Sequence, residues 1–279
     1  QVEQELVAEV VASVERFAPQ VVVLELGDGD GFTGTLQMAA ALRERFPDVI
    51  VAAGGRKAAW FRSRILQAAP QFAAIIHGDP EDAAYDLAEV AAGRMSLPDV
   101  AGISYRDGAS IVEAERADYA LGDLPMPVYE ADVYPAMVGD EKIKMGIITE
   151  SRGCANRCAF CLHPYEDGDR QRLAPAARVV DTMAELQERY GMGVFRLCGA
   201  STPGELLRDI AGEILQRGLQ VQYNSFGHFR NARPEDFATL AQSGLYSLFF
   251  GLESGSQEIL NRAVHKGIKL ERVRENIAA

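Results

Sequence analysis

The sequence predicts an α/β protein built from two successive series of parallel β-α units. Short apolar segments such as Val21–Leu24 and Val49–Ala53 alternate with stretches of helical spacing about 10 to 15 residues long. Apolar runs of this kind are typical of strands that are buried on both faces of a parallel sheet. Strands that alternate with helices form right-handed βαβ units. A segment containing Pro125, Pro127 and Pro135 separates the two series.

The first series contains three predicted strands, followed by a hairpin. In chain order, its elements are a helix at 1–17, a strand at 21–24, a helix at 35–46, a strand at 49–53, a helix at 57–68, a strand at 72–76 and a helix from 77 to about 93. Residues 97–111 have the pattern of a β-hairpin, with Asp107-Gly108 as its turn. We therefore expect a mostly parallel sheet with a hairpin attached.

The second series contains four β-α units, the last of them incomplete. Its predicted elements are strands at 144–148, 194–197, 219–223 and 246–250, and helices at 175–190, 203–216, 234–242 and from about 270. The predicted domains are therefore 1–112 and 144–279, joined by a linker at 113–143. We expect the first domain to lack its N-terminal part and the second its C-terminal part within this sequence.

Composition excludes several classes of partner. The 279 residues carry a net charge of −12, which disfavours non-specific binding to nucleic acid or to an anionic membrane surface. We find no apolar run of about 18 residues that could span a bilayer. The four cysteines are clustered rather than spread as a disulfide framework, which favours a reducing compartment and a cytoplasmic location.

Three of the four cysteines lie on one short segment, Cys154-Ala-Asn-Arg-Cys158-Ala-Phe-Cys161, directly after a predicted strand. Thiolates select iron–sulfur clusters or zinc among cellular metals. Three thiolates can ligate three irons of a [4Fe–4S] cluster and leave the fourth iron open. Zinc would need a fourth protein ligand, for which His163 and Cys198 are candidates. The spacing favours the cluster, and a zinc-stabilised binding module is the alternative from another class.

This motif, with the aromatic Phe160 just before its third cysteine, resembles that of the radical S-adenosylmethionine (radical SAM) superfamily. The resemblance implies that Cys154, Cys158 and Cys161 ligate the cluster and that Phe160 contacts adenine. It also implies that S-adenosylmethionine chelates the open iron and is cleaved reductively to a 5′-deoxyadenosyl radical. The implied fold is a partial (β/α)6 radical SAM barrel with its site at the C-terminal ends of the strands.

Further segments strengthen the resemblance and imply further cofactor-binding residues. Gly251-Leu-Glu253-Ser-Gly-Ser-Gln-Glu-Ile-Leu260, followed by Lys266-Gly267, resembles the superfamily's fourth-strand motif, so Gly251 and Glu253 are cofactor-binding candidates. Arg230 follows the third strand, where the family often has polar groups for the ribose and the carboxylate. Ser225, in the same region, is a further candidate. A separate pair, Cys198-Gly199, stands where the family has a Gly-Gly-Glu motif and gives two further cofactor-binding candidates, but the acidic residue is missing here.

The first domain resembles the Rossmann-like cobalamin-binding domain that precedes the barrel in one large radical SAM subfamily. The resemblance implies that the nucleotide tail of cobalamin enters at the C-terminal ends of the strands. Small residues are needed where the tail passes, and Gly27, Gly54 and Gly55 are the candidates. No D-x-H-x-x-G motif is present, so the sequence contains no recognisable axial histidine.

Together, these resemblances imply a cobalamin-dependent radical SAM methyltransferase that acts on an unactivated carbon or phosphorus centre. A cobalamin-dependent radical cyclase or rearrangement enzyme is the alternative. A methylthiotransferase would carry cysteines for a second cluster before Cys154, and the sequence has none there. The expected partners are a small-molecule or peptide substrate and an electron donor of the flavodoxin or ferredoxin type.

Overall fold

The computed structural model describes most of the chain as two compact units, Gln1–Tyr119 and Ala120–Ala279. The described residues are 2–27, 30–116, 118–130, 145–163 and 170–279. Most of the second half of the predicted linker, residues 131–143, lies outside them, as does Lys144 at the start of the predicted first barrel strand. The domain boundaries set out above therefore stay a prediction.

The first unit is a five-stranded sheet in the order β1-β2-β3-β4-β5. Strands β1 to β3 are parallel, and β4 and β5 form the antiparallel hairpin at one edge. The strands are β1 Val21–Glu25, β2 Ile50–Gly54, β3 Ala74–Ile76, β4 Ile103–Asp107 and β5 Ser110–Glu113; the helices are α1 Val2–Phe17, α2 Asp30–Arg45, α3 Arg56–Phe61, α4 Ser63–Ala68 and α5 Pro80–Ala91. The predicted sheet and hairpin are confirmed.

The apolar composition of β2 follows from a core on each face of the sheet. Val51 and Ala53 pack in one core with Leu66, whereas Ala52 packs in the other core with Leu87. Because successive side chains of a strand point to opposite faces, a strand covered on both sides is apolar at every position. This is why a continuous apolar run, rather than an alternating one, marked the strand in the sequence.

The predicted single helix at 57–68 is wrong, because Arg62 divides it into α3 and α4. Arg62 has a φ of 43°, which lies outside the right-handed helical region. Its backbone N–H still bonds to the carbonyl of Ala58, and its side-chain Nε donates to the carbonyl of Ala59 at 3.0 Å. The helical periodicity on both sides of Arg62 concealed this break, since no glycine or proline marks it.

The second unit contains a four-stranded parallel sheet in the order β11-β10-β9-β6. Its strands are β6 Met145–Ile148, β9 Val194–Leu197, β10 Gln222–Gly227 and β11 Leu245–Phe250; the short β7 Ser151–Arg152 and β8 Arg172–Leu173 pair separately. The helices are α6 Ala176–Tyr190, α7 Gly204–Arg217, α8 Phe237–Gln242, the one-turn α9 Gln257–Ile259 and α10 Leu270–Ala278. Four parallel β-α strands were predicted, and four are present among the described residues.

The third of these strands starts later than predicted. Leu219, expected to begin a strand, instead bonds through its N–H to the carbonyl of Ile214 at 3.1 Å and closes the end of α7. Gly218 takes the left-handed conformation there, with a φ of 65°, as is common just after a helix. The apolar residues after Gly218 therefore belong partly to the helix end.

The helices of the second unit cover one face of its sheet. Ile148, Phe195, Leu197 and Tyr223 are buried in a core with α6 and α7. Side chains of the opposite face are more open, and Ile147 is 49% exposed. One face against helices and one face inward is the arrangement of a barrel wall, and the predicted partial barrel is confirmed as the fold class.

None of the helices formed by the described residues is long and apolar enough to cross a membrane.

A buried tyrosine in β10 provides a test of this packing. The hydroxyl groups of Tyr223 and Ser243 lie 2.8 Å apart, and burial raises the pKa of Tyr223 to about 12. Because the folded-state pKa is raised, the unfolding free energy falls between about pH 10 and pH 12, by roughly 2 kcal/mol. Tyr223→Phe should cost about 1 kcal/mol at neutral pH and show a smaller fall at alkaline pH. Urea unfolding across this pH range measures both effects.

An equal alkaline loss in Tyr223→Phe and the parent protein would contradict this assignment. Ser243 retains a second hydrogen bond, from its Oγ to the carbonyl of Leu240 at 2.7 Å, so the substitution leaves no buried hydroxyl unpaired.

Candidate active site

The cysteine loop lies just past the C-terminal end of β6, the edge where parallel barrels place their active sites. Cys154, Cys158 and Cys161 are each half-buried, and none of the chain's four cysteines, all of which are described, is in a disulfide. The N–H of Cys161 donates to the carbonyl of Cys158 at 3.0 Å. This hydrogen bond joins backbone atoms only, so it fixes a turn in the loop while the three thiol groups remain available as ligands.

Two other parts of the barrel hold the loop in place. Asn156 donates from Nδ2 to the sulfur of Cys154 at 3.4 Å. The same side chain accepts from Nη2 of Arg230 at 2.6 Å, so the region after β10 is connected to the loop. The N–H of Ala159 donates to the carbonyl of Val264 at 2.9 Å. The loop is therefore attached to segments that follow the third and the fourth barrel strands.

The thiols lie close enough to influence one another. Burial raises the pKa of the Cys158 thiol, the Lys266 ammonium opposes that rise, and Cys161, Cys154 and Glu253 add to it. Metal ligation deprotonates thiols, so a bound cation would override this tendency. Over the described ranges, no group of three or more His, Cys, Asp or Glu residues is placed to hold a metal ion. A [4Fe–4S] cluster does not need such a group, because each thiolate ligates a different iron and the three sulfurs do not have to converge on one ion.

An ion pair from the segment after β11 lies beside this loop. Nζ of Lys266 and Oε1 of Glu253 are 2.6 Å apart, and Nζ is 5.9 Å from the centre of the Phe160 ring. A Cβ on Gly251 would overlap Glu253 Oε1 and approach Lys266 Nζ. The predicted residues Gly251, Glu253 and Phe160 are thus brought together with Lys266, while their cofactor-binding roles stay predictions.

A buried carboxylate connects the ends of the first three barrel strands. Glu150, just after β6, is 0% exposed. Its Oε2 accepts from the N–H of Gly199 at 3.0 Å, and its Oε1 accepts from Oγ1 of Thr202 at 2.6 Å and Oγ of Ser151 at 3.1 Å. Thr202 Oγ1 in turn lies 2.6 Å from Ser225 Oγ in β10. This network is the supporting layer beneath the strand ends.

The network determines where two of the predicted site residues lie. Gly199 has no room for a side chain, because a Cβ would overlap Ser151 Oγ and Glu150 Oε1. Ser225 is 3% exposed and bonded to Thr202, so it lies within the supporting layer. Cys198 is exposed, with its Sγ 3.5 Å from Thr149 Oγ1.

Sequence reasoning missed four residues of this region, namely Glu150, Asn156, Thr202 and His228. His228, just after β10, accepts at Nδ1 from the N–H of Arg230 at 3.2 Å. Burial first, then Lys266 and Arg230, lower its pKa to about 4, so the ring is neutral and its proton lies on Nε2. The sequence contained a signal for two of them: Glu150 closely follows an apolar strand, and Asn156 lies inside the cysteine motif.

In the first unit, the predicted glycines lie at the ends of β1 and β2. Gly55 has a φ of 92°, and a Cβ on it would lie 2.9 Å from Cγ of Glu25. Gly54 differs, since a Cβ there would meet its nearest neighbours at 3.8 Å. Gly27 follows β1, and a Cβ there would lie 3.6 Å from the backbone of Gly31. The neighbouring residues 28 and 29 lie outside the described residues.

A histidine lies at the same edge, directly after β3. His77 is 1% exposed, and neither of its ring nitrogens has a hydrogen-bond partner among the described residues. Burial lowers the pKa of His77, and the backbone of Ile103, the next largest influence, opposes this without reversing it, so the neutral form of the ring is favoured. A neutral buried imidazole without partners can donate one hydrogen bond and accept one.

The family model described as the radical SAM superfamily matches residues 148–279. These residues begin at the last position of β6 and include the cysteine loop, the Glu150 network and the Glu253–Lys266 pair. Residues 148–279 are therefore a domain of the radical SAM superfamily, and this predicted resemblance is confirmed.

Similar proteins extend the comparison to the whole chain. An uncharacterised methyltransferase of Pyrococcus horikoshii is 22% identical over 94% of this chain and 57% of its own length. The cytidylyl-2-hydroxyethylphosphonate methyltransferase of Streptomyces wedmorensis is 23% identical over 95% of this chain and 55% of its own. The chain thus spans about half the length of these curated relatives.

A solved structure gives the same result for the fold. The cobalamin-dependent S-adenosylmethionine radical enzyme OxsB, determined with aqua-cobalamin and S-adenosylmethionine bound, superposes with a TM-score of 0.77 at 17% identity. The match covers 97% of this chain and 40% of OxsB. The fold of the chain is therefore that of cobalamin-dependent radical SAM enzymes, as the sequence predicted.

The Glu150 network predicts an unequal response of two buried threonines. Thr202→Val removes one of three donors to a fully buried carboxylate and should cost about 1–3 kcal/mol. Thr182→Val is the matched control, because Thr182 is also buried but donates only to the carbonyl of Arg178 in its own helix, at 2.9 Å. The control should lose well under that amount. Urea unfolding measures both, and equal losses would contradict the importance of the network.

Proposed function

We propose that this chain is part of a cobalamin-dependent radical SAM enzyme, specifically a methyltransferase that acts on an unactivated carbon or phosphorus centre. The observation that supports this most directly is the loop of three half-buried thiols, Cys154, Cys158 and Cys161, at the C-terminal edge of a parallel sheet. The methyltransferase assignment draws on the relatives from Pyrococcus horikoshii and Streptomyces wedmorensis.

The donor set fits a [4Fe–4S] cluster with one open iron. Three thiols come from one loop, and Asn156 already donates to one of their sulfurs, an interaction that tunes such clusters. When bound, the cluster with S-adenosylmethionine would supply a 5′-deoxyadenosyl radical. The protein's part would be to orient the cofactor. Phe160, which is exposed, would present its ring to adenine, and Arg230, Gly251 and Glu253 would line the remaining site.

The first unit offers two features that fit cobalamin. Gly54 adds no side chain at the end of β2, where a Cβ would lie 3.8 Å from Ile76 and Val23, and a small residue is required where a nucleotide tail passes the edge of the sheet. His77 provides a buried imidazole without a partner among the described residues, and amide or phosphate groups of the cofactor could satisfy it. When bound, cobalamin would supply the methyl group that is transferred.

The remaining partners follow from this chemistry. Reductive cleavage needs one electron at a time, so we propose a donor of the flavodoxin or ferredoxin type. The substrate would be a small molecule or a peptide. Thiolate ligands stay reduced in the cytoplasm, which is the location we propose. Cyclisation or rearrangement with the same cofactors is the alternative chemistry, and product analysis separates it from methylation.

Substituting single cysteines tests the cluster site. In anaerobically reconstituted protein, Cys158→Ala should lose the [4Fe–4S] absorption and form no 5′-deoxyadenosine. Cys198→Ala is the control, because Cys198 lies outside the loop, and it should retain both iron and sulfide. Iron, sulfide and 5′-deoxyadenosine assays measure these outcomes. One equivalent of zinc without sulfide in the parent protein would contradict the proposal.

A glycine substitution tests the cobalamin site separately. Gly54→Ala should leave unfolding unchanged, since a Cβ there meets its neighbours at 3.8 Å. It should weaken cobalamin binding by about tenfold or more, a loss of roughly 1.4 kcal/mol, because the added methyl group would stand where the proposed tail passes the end of β2. Gly212→Ala, in α7, has open space around it and is the control. Absorbance titration with hydroxocobalamin gives the affinities, and unchanged affinity in Gly54→Ala would reject this position.

A further inference from the structure

The Lys266–Glu253 ion pair has properties that a surface salt bridge lacks. The Lys266 side chain is 10% exposed and that of Glu253 is 34% exposed, with their charged atoms 2.6 Å apart. Burying an ammonium group is costly unless it is paired. The pair is also asymmetric, because the cation is the more buried partner. The field of Lys266 is therefore screened by solvent less than that of Glu253.

The cation lies against the cysteine loop. Its Nζ is 5.9 Å from the ring centre of Phe160, a residue that stands between Cys158 and Cys161. The N–H of Ala159, which also stands between Cys158 and Cys161, donates at 2.9 Å to the carbonyl of Val264, two residues before Lys266. The charge of Lys266 therefore acts on the sulfur ligands proposed for the cluster.

The backbone around the pair is arranged to hold it there. Glu253 has a φ of 70° and His265, next to Lys266, has a φ of 56°. Left-handed conformations of non-glycine residues are unfavourable and persist where the surroundings impose them. Gly251 provides the space into which both charged groups fit. Two strained residues and a glycine thus maintain one ion pair beside the loop.

We propose that Lys266 raises the reduction potential of the cluster held by the cysteine loop and that Glu253 limits this effect. The inference rests on the proposed cluster site. Reduction adds a negative charge to a cluster that already has thiolate ligands, and a nearby buried cation stabilises the reduced form. The paired carboxylate opposes it through the same field. Lys266 and Glu253 are positioning residues in this role, since they act through the electrostatics of the site.

Charge-neutral substitutions of the two partners should shift the potential in opposite directions. Lys266→Met should make the midpoint potential more negative than that of the parent, and Glu253→Gln should make it more positive. The double variant should lie between the two single variants. Loss of packing alone would not give opposite signs. The measurement is an anaerobic redox titration of reconstituted protein, followed by electron paramagnetic resonance of the reduced cluster without S-adenosylmethionine.

An exposed ion pair nearby supplies the matched control. Arg262 and Glu258 are 2.9 Å apart, and their side chains are 79% and 72% exposed. Arg262→Met and Glu258→Gln remove the same charges in water, where screening is strong, and should leave the potential unchanged. Lys266→Arg keeps the charge and should also stay close to the parent value.

The outcomes separate this inference from the proposed function. Shifts of the same sign in Lys266→Met and Glu253→Gln, or shifts no larger than those of the exposed pair, would overturn the inference while the cluster itself stands. A parent protein without iron and sulfide would instead overturn the cluster site. Should Lys266→Met fail to retain a cluster, the Glu253→Gln potential decides, because a value at or below that of the parent contradicts the proposal.

Discussion

The parallel register of four strands is the constraint on which the site of the second unit depends. Ile148 of β6 lies opposite Leu197 of β9, so both strands end at the same edge, and β10 and β11 end there too. Whatever follows each strand is therefore brought to one rim: the cysteine loop, Cys198-Gly199, His228 and Gly251. A rim of loops on a rigid wall can carry chemistry without disturbing the core beneath it.

The loops on that rim need a rigid support, which the buried Glu150 provides. Removing its carboxylate from water costs free energy. A fully buried carboxylate is tolerated because three donors surround it. Both of its oxygens are occupied and neither is exposed, so it cannot contact a bound molecule. No acidic residue directly follows Cys198-Gly199 in this sequence. The carboxylate in contact with this turn is that of Glu150, two residues after β6, which accepts from the N–H of Gly199.

Local patterns were sufficient to predict most of the elements and the cysteine loop. Apolar runs identified the strands because both faces of β2 are covered, and three cysteines within eight residues need no long-range information. The errors arose where tertiary contacts, rather than local sequence, determine where a helix or strand begins and ends. Arg62 breaks a helix without glycine or proline, and Leu219 closes a helix instead of starting a strand. Glu150 and Thr202 are 52 residues apart, and no periodicity links them.

The same reasoning explains why the Lys266–Glu253 pair could be predicted only in part. The motif identified Glu253 as a site residue, yet its contact with Lys266 depends on two left-handed residues that sequence patterns do not reveal. Because non-glycine residues avoid that region, its use at both Glu253 and His265 requires compensation from the surrounding structure. The bond from Ala159 to Val264 supplies some of it. The strain that places the ion pair is thus supported by the loop on which the pair acts.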